Sequence, residues 1–450
     1  MKKSLELIAL AGLAAVLATA VWYSQRANGT APAASATSNA AAPSNRFAIR
    51  DVRVFDGENV IERATVVVND GLIADVAANA TIPAGIEIID GKGKTLLPGL
   101  IDAHTHNWGE AERDALRFGV TTELELMGAR ESLVGKHAHR EAMAATDTAD
   151  VFSSGAALTV PGGHGTQFGM PVPELARGGD VDAFIKARVD EGSDVIKLMI
   201  DDMHAFSANH RIPTLSPAEV QAGIAASQRH GRLAIVHVSA MDDATRVLRD
   251  GADALAHVFV DAIADETVLA AAGEAKAFVI PTLSVIATMQ KSPFTPALAE
   301  DAALEPRQIA SLRASYPPAF PAQRQALDNA IESVRRLHAA GVDILAGTDA
   351  GNPGTAHGVS MHGELALLVK AGLSPRQALR AATALPAQRL NMAGRGRIAP
   401  GMRADLLLVE GDPTRDISAT RCGARSRPKP DFRFRWRQLG DGLRCWLDGQ

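Results

Sequence analysis

Two imidazoles stand on alternate positions at the end of an apolar run: His104 and His106, in "LLPGLIDAHTHNWG" (Leu96–Gly109). On a strand, residues two apart point to the same side. On a helix they would diverge by about 200°. A strand here presents both rings together, as a metal ion requires of two ligands. One such pair means little. His137 and His139 repeat the spacing in "GARESLVGKHAHREAMAA", which reads as helix or loop with a solvated surface. The first pair has partners further along. Lys197 lies inside apolar "VIKLM", His237 in "IVHV", His257 in "LAHV" and Asp349 in "GTDAG". Singly, His237 or His257 reads as a hydrogen-bonded core histidine and Asp349 as a loop cap. As a set they read as metal ligands.

Lys197 decides the type of site. A buried ammonium is costly unless paired or neutralised, and metal cations would repel it. Carbon dioxide adding to the neutral amine removes both problems, giving a carbamate with a negative charge and two oxygens that can bridge two metals. The plain alternative is a Lys197 that reaches solvent or pairs with Asp201 or Asp202.

Such a set needs elements that bring it together. The middle of the chain alternates apolar strands with amphipathic helices. The strands are "LLPGLIDAHTH", "GVTTELEL", "VFSSGAALTV", "SDVIKLMID", "RLAIVHVS", "ADALAHVF", "AFVIPTLS" and "DILAGTDAG". Two helix starts are explicit: Ser216-Pro217 with Glu219, and Ser374-Pro375 with Gln377. Eight strands alternating with helices predict an α/β fold, a (β/α)8 TIM barrel over 96–393 with its chemistry at the C-terminal strand ends. Each candidate ligand falls at or near such an end. Hairpin-like runs in 46–95 ("FAIRDVRVFDG", "ATVVVNDGLIADVAA", "IEIIDGKGKTLL") and in 394–420 predict a small β-sandwich domain formed by both ends of the chain.

The remaining segments lie outside that fold. Residues 1–25 start with Lys2 and Lys3 and continue in an uncharged apolar run, Leu7–Tyr23, with Ala18-Thr19-Ala20 as a cleavage site. This reads as an export signal, or an anchor if uncleaved, and it implies a periplasmic protein if the source is bacterial. Residues 26–45 are a low-complexity linker. The tail, 421–450, is rich in arginine, and "DFRFRWR" within it suits an edge strand. The tail also holds both cysteines, Cys422 and Cys445, as a disulfide or as two unpaired thiols. A net charge of −5 argues against a nucleic-acid partner, and the sequence leaves a homo-oligomer open.

The order "DAHTH", "VIKLM", "IVHV", "LAHV", "GTDAG" resembles the amidohydrolase superfamily. It is closest to the imidazolonepropionase-like branch that includes metal-dependent Xaa-Pro and Xaa-Arg dipeptidases, over about 46–420. The resemblance implies two divalent metal ions, zinc by ligand type. His104, His106 and Asp349 would hold one ion, His237 and His257 the other. N6-carboxylated Lys197 and a water or hydroxide would bridge them. The activated hydroxide would attack a carbonyl, with Asp349 relaying a proton to the leaving amine.

"GGHG" after the third strand resembles the dipeptidase branch and makes His164 a substrate residue. His357, in the loop after Asp349, is a second. His362 is expected to start the next helix, and His204 and His210, on the loop after Lys197, read as structural or exposed histidines before they read as rim residues. The segment "IDDMHAF" departs from the branch by lacking a Gly-rich continuation, so no proline or arginine preference carries over, and no arginine for a substrate carboxylate is assignable. The expected activity is hydrolysis of an amide or peptide C–N bond in a dipeptide or N-acyl amino acid. The alternatives are a lactonase or other ester hydrolase on the same site, and a non-catalytic binding barrel.

Overall fold

The computed structural model describes residues 46–143, 147–168, 172–206, 211–290, 292, 298–301, 303–316, 325–421 and 436–438. The chain divides into two compact units, 1–42 with 167–171, and 43–166 with 172–450. The elements below belong to the second; the first lies almost wholly outside the described residues. The signal, the linker, His210 and both cysteines also lie outside them.

The first five strands are β1 (Phe47–Phe55), β2 (Val60–Asn69), β3 (Leu72–Ala77), β4 (Glu87–Asp90) and β5 (Lys94–Pro98). Eight follow in the middle of the chain: β6 (Leu100–Thr105), β7 (Val120–Glu125), β8 (Asp150–Ser153), β9 (Ile196–Met199), β10 (Ala234–His237), β11 (Ala254–Ala256), β12 (Phe278–Ile280) and β13 (Asp343–Ile344). The last two are β14 (Leu406–Glu410) and β15 (Trp436–Gln438).

The small domain is one mixed sheet of seven strands in the order β15-β14-β5-β1-β2-β3, with β4 on β1. The expected sandwich of two sheets is thus a single hydrogen-bonded sheet. The reason lies in β1, which pairs with β4 through Phe47–Arg50 and with β5 through Arg53–Val54, so one strand serves both halves. Both chain ends contribute, because β14 runs antiparallel to β5. The tail segment Trp436–Gln438 adds an edge strand parallel to β14. Phe47, Ile49, Val52, Val66, Leu96, Leu406 and Leu408 form this domain's own core.

The expected first strand is in fact two. Gly99 separates β5, which stays in the small sheet, from β6, which begins the parallel strands. Its amide donates to Asp405 O at 2.7 Å. A Cβ at Gly99 would lie 2.2 Å from Thr121 Oγ1, so only glycine lets the chain cross β7 this closely.

The parallel strands form two sheets, β6-β7-β8 and β13-β12-β11-β10-β9. Residues in β6 to β12 are buried throughout, as strands covered on both faces require. Hydrogen bonds cross both junctions. Leu158 N donates to Lys197 O (2.8 Å) beside β9, and Ala103 N donates to Ala346 O (2.9 Å) beyond β13. Ile101, Leu124, Ile235, Phe278 and Ile280 come from four strands and share one apolar cluster. Both predicted helix starts are present as capping boxes, on helices Pro217–Arg229 and Pro375–Ala381.

Candidate active site

The ends of the parallel strands carry the expected side chains to one place. The rings of His104 and His106 lie 5.5 Å apart between centroids. His257 lies 4.7 Å from His104, His237 lies 4.4 Å from His257, and His164 lies 4.6 Å from His237. Asp349 Oδ1 lies 3.0 Å from His106 Nε2 and 3.4 Å from His104 Nε2. His104, His257 and Asp349 each offer a ligand atom within 4.8 Å of the others. Lys197 is 1 % exposed and stands opposite Ile235 of the shared apolar cluster. Asp201 and Asp202 have other partners: Ser239 and His237 for the first, His204 and Arg211 for the second.

Local sequence explains the placement. Gly347 lets the Asp349 segment lie against β6; a Cβ there would lie 2.4 Å from Ile280 Cγ2 and 3.0 Å from His104 N. Asp102 then ties the two segments together. It accepts the amides of His104 (3.2 Å) and Thr348 (2.9 Å) and the Thr348 hydroxyl (2.6 Å). Several non-glycine residues here have left-handed backbones: Met127 (φ 110), His257 (φ 71), Thr282 (φ 50) and Asp349 (φ 56). Each such conformation costs about 1–3 kcal/mol, and such strain gathers where function over-determines the backbone. The turn at Met127 sets its carbonyl 3.3 Å from His106 Nδ1, and Thr282 Oγ1 lies 2.6 Å from His257 Nδ1.

Burial disfavours the charged form of His104, His164, His237 and His257. Burial pushes His104 and His257 well below the usual histidine value, and nearby Lys197 and other imidazoles add to this. Burial and His237 hold His164 down to about 3. Burial lowers Lys197 to about 7 against the pull of Asp349. Burial would raise Asp349, but His104, His106 and His257 carry it well below the carboxylate range. The result is neutral nitrogen donors beside an ionised carboxylate. Both ring nitrogens of His104 and Oδ1 of Asp349 are buried with no hydrogen-bond partner. Such orphaned atoms are costly in a protein interior. A divalent cation satisfies one His104 nitrogen and Asp349 Oδ1, so the donor set fits a metal.

The structure gives His357 a different task from the expected substrate contact. Both of its ring nitrogens are engaged inside the protein, Nδ1 with Glu123 Oε1 (2.7 Å) and Nε2 with His106 O (3.2 Å). His362 lies within the helix Val359–Lys370, bonded to Thr420 and Phe118 O. His204 bonds Asp202 and Asp242. His137 and His139 are helical and half-buried rather than solvated, near Asp194 and Thr148. Sequence reading passed over Asp102, Glu123 and Thr282. For the two acids a signal existed, since a carboxylate inside an apolar strand demands a partner. Thr282 carries no such signal.

Residues 95–439 match the amidohydrolase family, and residues 47–96 match the NagA composite domain. Ochratoxinase of Aspergillus niger is 27 % identical over 413 residues, covering 80 % of this chain and 80 % of that protein. Imidazolonepropionase of Deinococcus deserti is 26 % identical over 402 residues, covering 80 % of this chain and 88 % of that protein. The crystal structure of a Xaa-Pro dipeptidase with methionine bound in its active site shares the fold. Its TM-score is 0.65 at 21 % identity, over 83 % of this chain and 96 % of that one. Because the family match spans well over half of its length, the chain belongs to the amidohydrolase family and is a hydrolase that acts on carbon–nitrogen bonds.

Proposed function

We propose that this chain is a binuclear metal-dependent amidohydrolase that cleaves an amide or peptide C–N bond, with dipeptides or N-acyl amino acids as substrates. In this reading β6 to β13 close a (β/α)8 barrel over 96–393, and 46–95 with 394–420 make the small domain. His104, His106 and Asp349 would hold one divalent ion and His237 and His257 the second, with Lys197, carboxylated on Nζ, as a ligand that both could share. Imidazole and carboxylate donors suit Zn²⁺. When bound, the ions supply a water acidified toward neutral pH and a polarised scissile carbonyl.

The chain's own groups do the rest. The neutral Lys197 amine adds carbon dioxide and releases one proton; its enclosure disfavours the cation and favours that exchange. Asp349 Oδ1 takes the proton of the attacking water and passes it to the leaving nitrogen, which departs poorly as an anion. His164 faces the substrate. Residues 1–25 direct export, to the periplasm if the source is bacterial, or anchor the chain in the membrane if they are not cleaved.

One observation carries the reading: His104 and Asp349 turn orphaned, buried donor atoms toward one point beside His257. The test is elemental analysis of the purified full chain, with turnover on matched panels of dipeptides, N-acyl amino acids, lactones and esters. Two metals per chain and amide turnover that chelation abolishes and zinc restores are expected. Turnover confined to lactones or esters would replace the amide reading. Protein that stays metal-free and inactive in excess zinc would leave a non-catalytic barrel.

A further inference from the structure

His106 is latched on both sides by one segment. Its amide donates to Ala350 O at 2.8 Å, and its carbonyl lies 3.2 Å from His357 Nε2. Ala350 follows Asp349, and His357 closes the same loop. At Gly351 that loop lies so close that a Cβ would come within 2.6 Å of His106 O. The other nitrogen of His357, Nδ1, lies 2.7 Å from Glu123 Oε1 on β7. Glu123 Oε2 accepts Asn107 Nδ2 at 2.6 Å, and Asn107 directly follows His106. Glu123 is fully buried and His357 is 9 % exposed.

The acceptors decide the charge. A carbonyl oxygen and a carboxylate oxygen only accept hydrogen bonds. A ring with such an acceptor at each nitrogen carries a proton on each, and is an imidazolium. Glu123 supplies the balancing negative charge, without which a buried cation is disfavoured.

We propose that His357 is a positioning residue: as an imidazolium clamped between Glu123 and the His106 carbonyl, it holds the end of β6 against the loop that carries Asp349. It touches neither substrate nor metal. It acts through the backbone of His106 and through Asn107, fixing the spacing between His106 and Asp349. The inference rests on the proposed metal site only for its effect on metal affinity; the clamp itself is a property of the metal-free chain.

The test uses His357→Gln, Glu123→Gln and the double variant. Each single change leaves one buried charge unpaired; the double change removes both charges and keeps amides able to hydrogen-bond. Both single variants are expected to lose metal to a competing chelator at least 10-fold more readily than wild type, the range typical of groups that orient ligands. The double variant is expected to recover most of that loss. In the single variants kcat falls while KM changes less than about twofold. In metal-free protein, amide hydrogen exchange across 348–356 and 104–108 rises in each single variant and falls back in the double.

Unchanged metal affinity with a raised KM in His357→Gln would overturn the clamp and return His357 to substrate binding. Equal losses in the single and double variants would overturn the charge argument. Unchanged exchange in all three would overturn the clamp itself. A wild type that binds no metal would remove the proposed function, and the exchange measurement on metal-free chain would still decide the clamp.

Discussion

At the scale of the residue, the site depends on buried groups whose partners lie on other strands. Asp349 is a buried carboxylate whose Oδ1 lies 3.0 Å from His106 Nε2 without forming a hydrogen bond. Asp349→Asn keeps an oxygen donor and, in the proposed mechanism, loses the proton carrier. Partial metal retention is expected, with turnover reduced at least 10²-fold, the lower bound for a lost general acid–base. Steady-state kinetics beside metal analysis checks it. Thr282 acts one step back. Its hydroxyl, 2.6 Å from His257 Nδ1, fixes which nitrogen faces the site. Thr282→Val is expected to weaken metal binding by about 10–100-fold, and Thr282→Ser to restore it. Equal affinity in the valine and serine variants would show that the hydroxyl does not orient the ring.

At the scale of the element, close backbone approach matters more than side-chain packing. The segment after β13 lies against β6 because Gly347 has no Cβ to strike Ile280 and His104. Gly347→Ala is expected to force these segments apart by a few tenths of an ångström. Overpacking of this kind costs about 1–3 kcal/mol. Its signature is loss of turnover out of proportion to the drop in denaturation midpoint, because His104 and Asp349 sit on the two separated segments. The same approach tolerates no alternative at Gly99, where the small sheet hands the chain to the parallel strands.

At the scale of the whole molecule, stability responds to pH through a carboxyl buried between helices. Glu364 on the helix Val359–Lys370 accepts the amides of Leu283 (3.0 Å) and Ser284 (2.7 Å). Burial outweighs these bonds and raises it from 4.5 to about 8. Between those values the folded chain holds a proton that the unfolded chain has lost, so stability falls as pH rises. This contribution is full below about 4.5 and gone above about 8, with a slope of at most about 1.4 kcal/mol per pH unit. Thermal unfolding from pH 5 to pH 8 should show that decline, and Glu364→Gln should flatten it. An identical profile in the variant would take Glu364 out of the pH response.

Sequence alone determined the alternation of strand and helix and the two capping boxes, because each is written in local periodicity and residue type. The capping boxes of Ser216 and Ser374 need only three neighbours to form. Tertiary structure decided what lies between distant segments. It made one sheet of the small domain, split the first strand at Gly99, and set His357 against Glu123, 234 positions away. A hydrogen bond over that separation leaves no trace in the spacing of residues along the chain; it exists only once the strands have been brought side by side.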